Sequence, residues 1–376
     1  MPKAKKLLNE HLFETTLTES GVDAVVCLHP KNLFYTTGYP MALSHAIHQR
    51  PSGPRSGIAV FTPGGEPTLI VGGNEERVTR DTTWIADIRV YSEYVDSPMD
   101  QLADVLREKG ASSGKIGLEM EYFSAAFYVA LQAHLPNAAF VPWDEQFDEV
   151  RAIKTPAELD ILKRNADILD ELFLEMFESI RVGDREKEAQ DRLISGALRR
   201  GAAARASGGI LQAGQEGFVV HSRTNDPIER GQIVCTDYTI NLDGYNANQS
   251  RVAVVGPPSA EQKQIYQTIR DIHFRAAETL FRPGTRACDV FFFCQREQEK
   301  AGLWHHRALL GHNMGIWTHE DPMLVAGDTR PLKKGMVVVL EPRFYGYHIQ
   351  DTFLVTDDSP VLLSDKFNTD EMFVVG

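Results

Sequence analysis

Two rhythms of apolar and polar positions divide this chain. Over residues 1–149, short apolar runs alternate with amphipathic stretches. Val22 to Leu28 (VDAVVCL) is a nearly continuous apolar run, which predicts a buried strand. Gly57 to Thr62 (GIAVFT) and Pro67 to Gly72 (PTLIVG) predict two more, and Pro63-Gly64-Gly65 between them is a turn that makes them a hairpin. Asp100 to Lys109 has the spacing of a short amphipathic helix, and Lys115 to Glu119 that of another strand. Together these make an α/β domain.

The rhythm then lengthens. Thr155-Pro156-Ala157-Glu158 combines a cap, a proline at the first turn and an early acid. Leu159, Leu162, Ala166, Leu169, Phe173 and Phe177 follow at helical spacing, and Gly183 closes the run. Glu186 to Arg200 and a longer stretch near Glu261 to Leu280 predict further helices, with strands such as Ile233 to Thr239 and Met336 to Leu340 among them. At 376 residues the chain is too long for one simple core. The expected domains are 1–149 and 150–376. No internal repeat or low-complexity tract interrupts them.

Composition narrows the function classes. The formal net charge is -13, so broad contact with nucleic acid is disfavoured. The N-terminal MPKAKKLLNEHLFE lacks an apolar core of signal-peptide length, and no apolar run approaches a membrane span. Cys27, Cys235, Cys288 and Cys294 show no metal-ligand pairing and read as reduced thiols of a cytoplasmic protein.

Candidate chemistry lies between residues 237 and 350. Asp237, Asn248, His312, Glu341 and Gln350 would be a hard, oxygen-rich site for two divalent ions if Asn248 were Asp and Gln350 were Glu. As they stand, only Asp237 and Glu341 bring negative charge, half of what two divalent cations require.

Several segments together resemble the pita-bread enzymes: Xaa-Pro aminopeptidases, prolidases, methionine aminopeptidases and creatinase. They are Asn32-Leu33-Phe34-Tyr35-Thr36-Thr37-Gly38-Tyr39, Arg151-Ala152-Ile153-Lys154-Thr155 with Glu158, and Asp237 with Gly244-Tyr245, Asn248 and Arg251. Gly311-His312-Asn313-Met314-Gly315, His319-Glu320-Asp321-Pro322, Glu341-Pro342 and Ile349-Gln350-Asp351 complete the set. The spacings carry the specificity: eleven residues from Asp237 to Asn248, seven from His312 to His319, twenty-two from His319 to Glu341. The resemblance implies a small α/β N-terminal domain and a C-terminal domain with a curved antiparallel sheet flanked by helices. It also implies a homodimer in which one subunit's N-domain approaches the other's active site.

The departures from the family pattern matter as much. The metal enzymes of the family carry Asp at position 248 and Glu at 350. Creatinase has likewise lost metal ligands and uses a histidine, and His221 falls where that histidine sits. Arg55 falls near a creatinase arginine that binds the substrate carboxylate. The resemblance thus implies a hydrolase that cleaves a C–N bond of a small nitrogen-rich carboxylate by metal-independent chemistry. His221 would be the base, Glu341 would position water or substrate, and His319 would assist as acid. Arg55, Asn248, Gln350, Trp317 and His312 would bind substrate. No cofactor is favoured. If a divalent metal (Mn, Zn or Fe) binds, Asp237, His312 and Glu341 would hold it. Two alternatives stay open: a metal-dependent Xaa-Pro peptidase with a weakened site, and a non-catalytic peptide-binding protein on the same fold. The residues have bland readings too. In the bland readings His221 simply binds backbone in a loop, Arg55 is a solvated charge, and Trp317 is core packing.

Overall fold

The computed structural model describes residues 6–39, 57–204, 206–214 and 225–376. The chain forms two compact units, Met1–Arg151 and Ala152–Gly376.

The first unit is built on a six-stranded sheet. Its strands are β1 (Ala24–Cys27), β2 (Ile58–Phe61), β3 (Thr68–Gly72), β4 (Asp87–Tyr91), β5 (Lys115–Leu118) and β6 (Ala139–Pro142), in the order β4-β3-β2-β1-β5-β6. β2 and β3 form the antiparallel hairpin that the Pro-Gly-Gly turn predicts, with Ile58 opposite Ile70. Gly64 takes a φ of 63°, which a residue with a Cβ adopts only under strain. Helices α1 (Pro98–Glu108) and α2 (Ala125–His134) lay Leu102, Leu106 and Leu131 on Val26, Ile70, Ile116 and Leu118. Strand β1 is shorter than its apolar run, because Val22 and Leu28 are buried without joining the ladder.

The second unit starts with α3 (Pro156–Ser179). Thr155 accepts from the Glu158 backbone N–H at 3.3 Å, and Glu158 accepts from the Thr155 N–H at 2.8 Å, the reciprocal cap that the sequence signals. The helix ends at Ser179, one turn before Gly183. α4 (Glu186–Arg199), α5 (Ala260–Leu280) and α6 (Ala287–Lys300) follow. The first of two five-stranded sheets contains β7 (Gly208–Ala213), β8 (Ile233–Leu242), β9 (Tyr245–Gln249), β10 (Val252–Val255) and, from the chain's end, β18 (Phe373–Val375). The other contains β11 (Gly311–Asn313), β12 (Glu320–Met323), β13 (Val337–Leu340), β16 (Asp351–Leu354) and β17 (Val361–Leu362); the two-residue strands β14 (Arg343–Phe344) and β15 (Tyr347–His348) pair separately. In this unit α3 and α4 pack Leu169, Phe173, Phe177 and Leu193 on Val234, Tyr238 and Ala253 of the first sheet. α5 and α6 pack Ala276 and Phe291 on Val338, Leu340 and Phe353 of the other.

An isolated antiparallel bridge, Ser250 with Gln350, joins the two sheets. Arg251, wholly buried, locks that seam. Its guanidinium donates to Asp170 of α3 at 2.6 Å and to the carbonyls of Gln350 at 2.8 Å and Ser250 at 2.9 Å. Asp351 lies 2.9 Å away on its other side. Burial alone would raise the Asp351 carboxyl, but the Arg251 charge and its other partners hold it down at about 2. Asp170 also accepts from the Lys366 and Phe367 backbone at 3.1 and 3.2 Å.

Arg251→Met would leave Asp170 and Asp351 buried without their shared cation. Loss of one partner from a buried pair destabilises by about 3–5 kcal/mol. Urea unfolding followed by circular dichroism should show a loss of that size; an unchanged midpoint would show that the seam is held by other contacts.

Candidate functional site

Five family positions meet at the seam between the two sheets. Asp237 lies on β8 and Asn248 on β9, with Thr239 directly opposite Asn248. Asp237 is two residues from Thr239 on the same strand, so Asp237 and Asn248 share a face as diagonal neighbours. His312 sits on β11 opposite Val339 of β13, and Glu341 follows that strand's last residue. Gln350 immediately precedes β16.

The two amides bond to each other. Gln350 Nε2 donates to Asn248 Oδ1 at 2.5 Å. Asn248 Nδ2 in turn donates to Asp237 Oδ1 and to the Tyr238 carbonyl, both at 3.1 Å. Ser250 Oγ donates to Gln350 Oε1 at 2.7 Å. The result is a one-way chain from Ser250 through Gln350 and Asn248 to Asp237. Asn248 and Gln350, expected to bind substrate, are both buried and engaged with protein groups. Two carboxylates at these positions could not make such a chain, because an ionised carboxylate only accepts.

The charges that remain are balanced by arginines. Glu341 Oε2 lies 3.4 Å from His348 Nε2 and 3.9 Å from Arg307 Nη2. Burial would raise the Glu341 carboxyl, but His348, Arg307 and His312 together hold it at about 2. Asp237 goes the other way: burial first, then the nearby Glu341 charge, push it up to about 7 against the Asn248 bond. Burial lowers Arg307 to about 10 and draws Arg343 down as well, with Glu341 and Asp237 attracting both. Two adjacent carboxyls with such different affinities for protons are an arrangement typical of acid–base sites. The Cys235 thiol beside them is buried and pushed up by burial, as expected of an unreactive cysteine.

The histidines form a second group. His312 Nδ1 lies 3.1 Å from the Asn313 carbonyl, so Nδ1 carries the proton. Its Nε2 is a buried lone pair with no hydrogen-bond partner among the described residues. Burial lowers this imidazole to about 4, so it stays neutral. His319 packs edge-on against it, with ring centroids 4.3 Å apart, and is itself exposed. The loop that carries His319 is tied from two sides. Asn246 of β9 donates to the Ile316 carbonyl at 3.2 Å and to Thr318 Oγ1 at 3.1 Å. Buried Lys154 reaches Asn313 at 3.1 Å and Glu320 at 3.5 Å, and Glu320 accepts from the Trp317 backbone at 3.0 Å. Trp317 is 48% exposed and so lies outside the core. His221 and Arg55 lie outside the described residues.

A divalent metal pair does not fit this donor set. The amides that replace two carboxylates are engaged with each other, and Arg307 already faces Glu341. Among the described residues, no three His, Cys, Asp or Glu side chains are grouped to hold a metal ion.

Sequence reasoning missed Arg307, Arg343, His348 and Ser250. Ser250 and His348 each lie two residues from a family position, which was a usable signal. Arg343 follows Glu341 by two residues. Arg307 lies in an irregular segment before β11, and nothing local marks it.

Comparison with known proteins supports the same architecture. Residues 160–357 match the model of Metallopeptidase family M24, and residues 12–153 match the Creatinase/Prolidase N-terminal domain. The Xaa-Pro dipeptidase of Pyrococcus furiosus is 25% identical over 349 residues, covering 91% of this chain and 93% of that protein. The ectoine hydrolase of Halomonas elongata is 25% identical over 384 residues, with 93% of each chain covered. The structure of an Xaa-Pro dipeptidase from Bacillus anthracis superposes with a TM-score of 0.82 at 21% identity, covering 97% of this chain and 98% of that one. The two-domain fold, the strand-borne site and these matches lead to one assignment: this chain belongs to the M24 metallopeptidase family and is one of its creatinase/prolidase-type C–N hydrolases.

Proposed function

We propose that this hydrolase cleaves the C–N bond of a small peptide or amide bearing a carboxylate, and that it does so without a dinuclear metal centre. The direct bond of 2.5 Å between Gln350 and Asn248 carries this reading. It occupies the space between two positions that the metal enzymes of the family use as ligands. In this reading His221 takes the proton of the attacking water as that oxygen adds to the carbonyl carbon. Neutral His312 accepts a hydrogen bond from water or substrate at Nε2. Ionised Glu341 holds a cationic or N–H group of the substrate. His319, exposed at the edge, protonates the departing nitrogen as the C–N bond breaks. Arg55, brought from the partner N-domain of a homodimer, binds the carboxylate.

For the substrate, the relatives' names favour the peptidase alternative over a creatinase-type carboxylate. The Xaa-Pro dipeptidases span nearly the whole chain, so Xaa-Pro dipeptides are the first substrates to test. Their family name, metallopeptidase, also speaks for the metal-dependent version of that alternative. The ectoine hydrolase match supports a second reading, a nitrogen-rich cyclic carboxylate.

Dipeptide and ectoine hydrolysis should survive exhaustive dialysis against EDTA. Loss of turnover that Mn²⁺ restores would refute the metal-free reading. In the same assay His221→Ala should lower kcat by about 10²–10⁴-fold, the usual contribution of a placed general base; full activity would remove His221 from the mechanism. Gln350→Glu would set a carboxylate oxygen against Asn248 Oδ1. Thermal unfolding should show a loss of about 1–3 kcal/mol, as for a buried polar group left without its partner. Unchanged stability would mean that the amide chain contributes nothing to the fold.

A further inference from the structure

The site keeps two carboxylates of the family pattern. Something must balance them in a buried setting, because an uncompensated buried charge is strongly disfavoured. We infer that Arg307 is the built-in counter-cation of this site: its guanidinium holds Glu341 and keeps divalent metal ions out.

The geometry is a two-point hold. Arg307 Nη1 donates to the Glu341 carbonyl at 3.5 Å, while Nη2 stands 3.9 Å from Glu341 Oε2. Both side chains are nearly buried, with 7% and 8% of their surfaces exposed. The arginine comes from the segment between α6 and β11, and Glu341 lies immediately beyond β13, the neighbour of β11. The Glu341 backbone N–H is bonded to the Leu310 carbonyl at 3.0 Å, so the Arg307 segment and the Glu341 turn are fixed to each other. A second cation, Arg343, also faces Glu341. Arg343 follows Glu341 by two residues, and Gln298 of α6 anchors its backbone carbonyl at 3.0 Å. The groups facing Arg307 are Glu341, Asp237, Arg343 and the Cys235 thiol. Two guanidiniums face the two acidic side chains here, where the metal enzymes of the family would set two divalent ions against four carboxylates.

A guanidinium differs from a metal ion in ways that matter here. It is tethered, it stays charged at any working pH, and a chelator cannot remove it. A divalent ion approaching Glu341 would meet like charge where it needs open carboxylate oxygens. The inference therefore rests on the reading of the site as one without a dinuclear centre, and it names the residue responsible.

The test is calorimetric titration of the whole, chelator-dialysed chain with Mn²⁺ alone at neutral pH. The native chain and Arg307→Lys, which keeps the charge, should show no saturable binding up to about 1 mM, that is, a Kd weaker than millimolar. Arg307→Gln should bind Mn²⁺ at least about tenfold more tightly, and adding Glu341→Gln should abolish that gain. If Arg307→Gln does not fold alone, Mn²⁺ should restore its thermal transition, and failure to do so overturns the inference. Equal, weak binding by Arg307→Gln and Arg307→Lys overturns it too, while leaving metal-free catalysis intact. Tight binding by the native chain would overturn both readings.

Discussion

Everything at this site hangs on the seam that Arg251 closes. Two five-stranded sheets approach each other there, and their only bridging pair is Ser250 with Gln350 among the described residues. A single backbone bridge gives little rigidity. The guanidinium of Arg251 supplies it by gripping the carbonyls of both bridge residues and two carboxylates at once. Because Ser250, Gln350 and Asn248 are all within two or three residues of this grip, their amide chain inherits its precision. A site residue held by a buried charge network has few conformations to lose when substrate binds.

The same logic of charge runs through the pocket itself. Glu341 stays ionised because cationic and N–H groups surround it, and Asp237 holds its proton more tightly because it is buried and, next, because Glu341 is near. His312 stays neutral in its burial. Each affinity follows from which neighbours are present. The site thus works as one coupled electrostatic unit, in which a change at Glu341 would move Asp237 as well.

Much of the fold could be read from local signals. Thr155 and Glu158 announce their helix because a reciprocal cap is a contact between residues three apart. The β2–β3 hairpin is equally local. Short strands came out shorter than their apolar runs, since Val22 and Leu28 are buried by neighbouring layers and not by pairing. The two-residue strands β14 and β15 leave no rhythm to detect. The five family positions were legible because their spacing is fixed by the fold. Arg307 was not, because its meaning comes from a partner 34 residues away. The link between Asn248 and Gln350 was invisible for a similar reason: both amides were plain in the sequence, but their contact spans 102 residues.

The direction of the Ser250–Gln350–Asn248–Asp237 chain bears on how this site could change over time. Each link needs a donor on one side and an acceptor on the other. An acid at position 350 alone would remove the donor to Asn248. An acid at position 248 alone would remove the donor to Asp237 and set two carboxylates together. Neither position can become a carboxylate by itself without passing through a weakened protein, so the two amides are bound into one unit that only a paired change can replace.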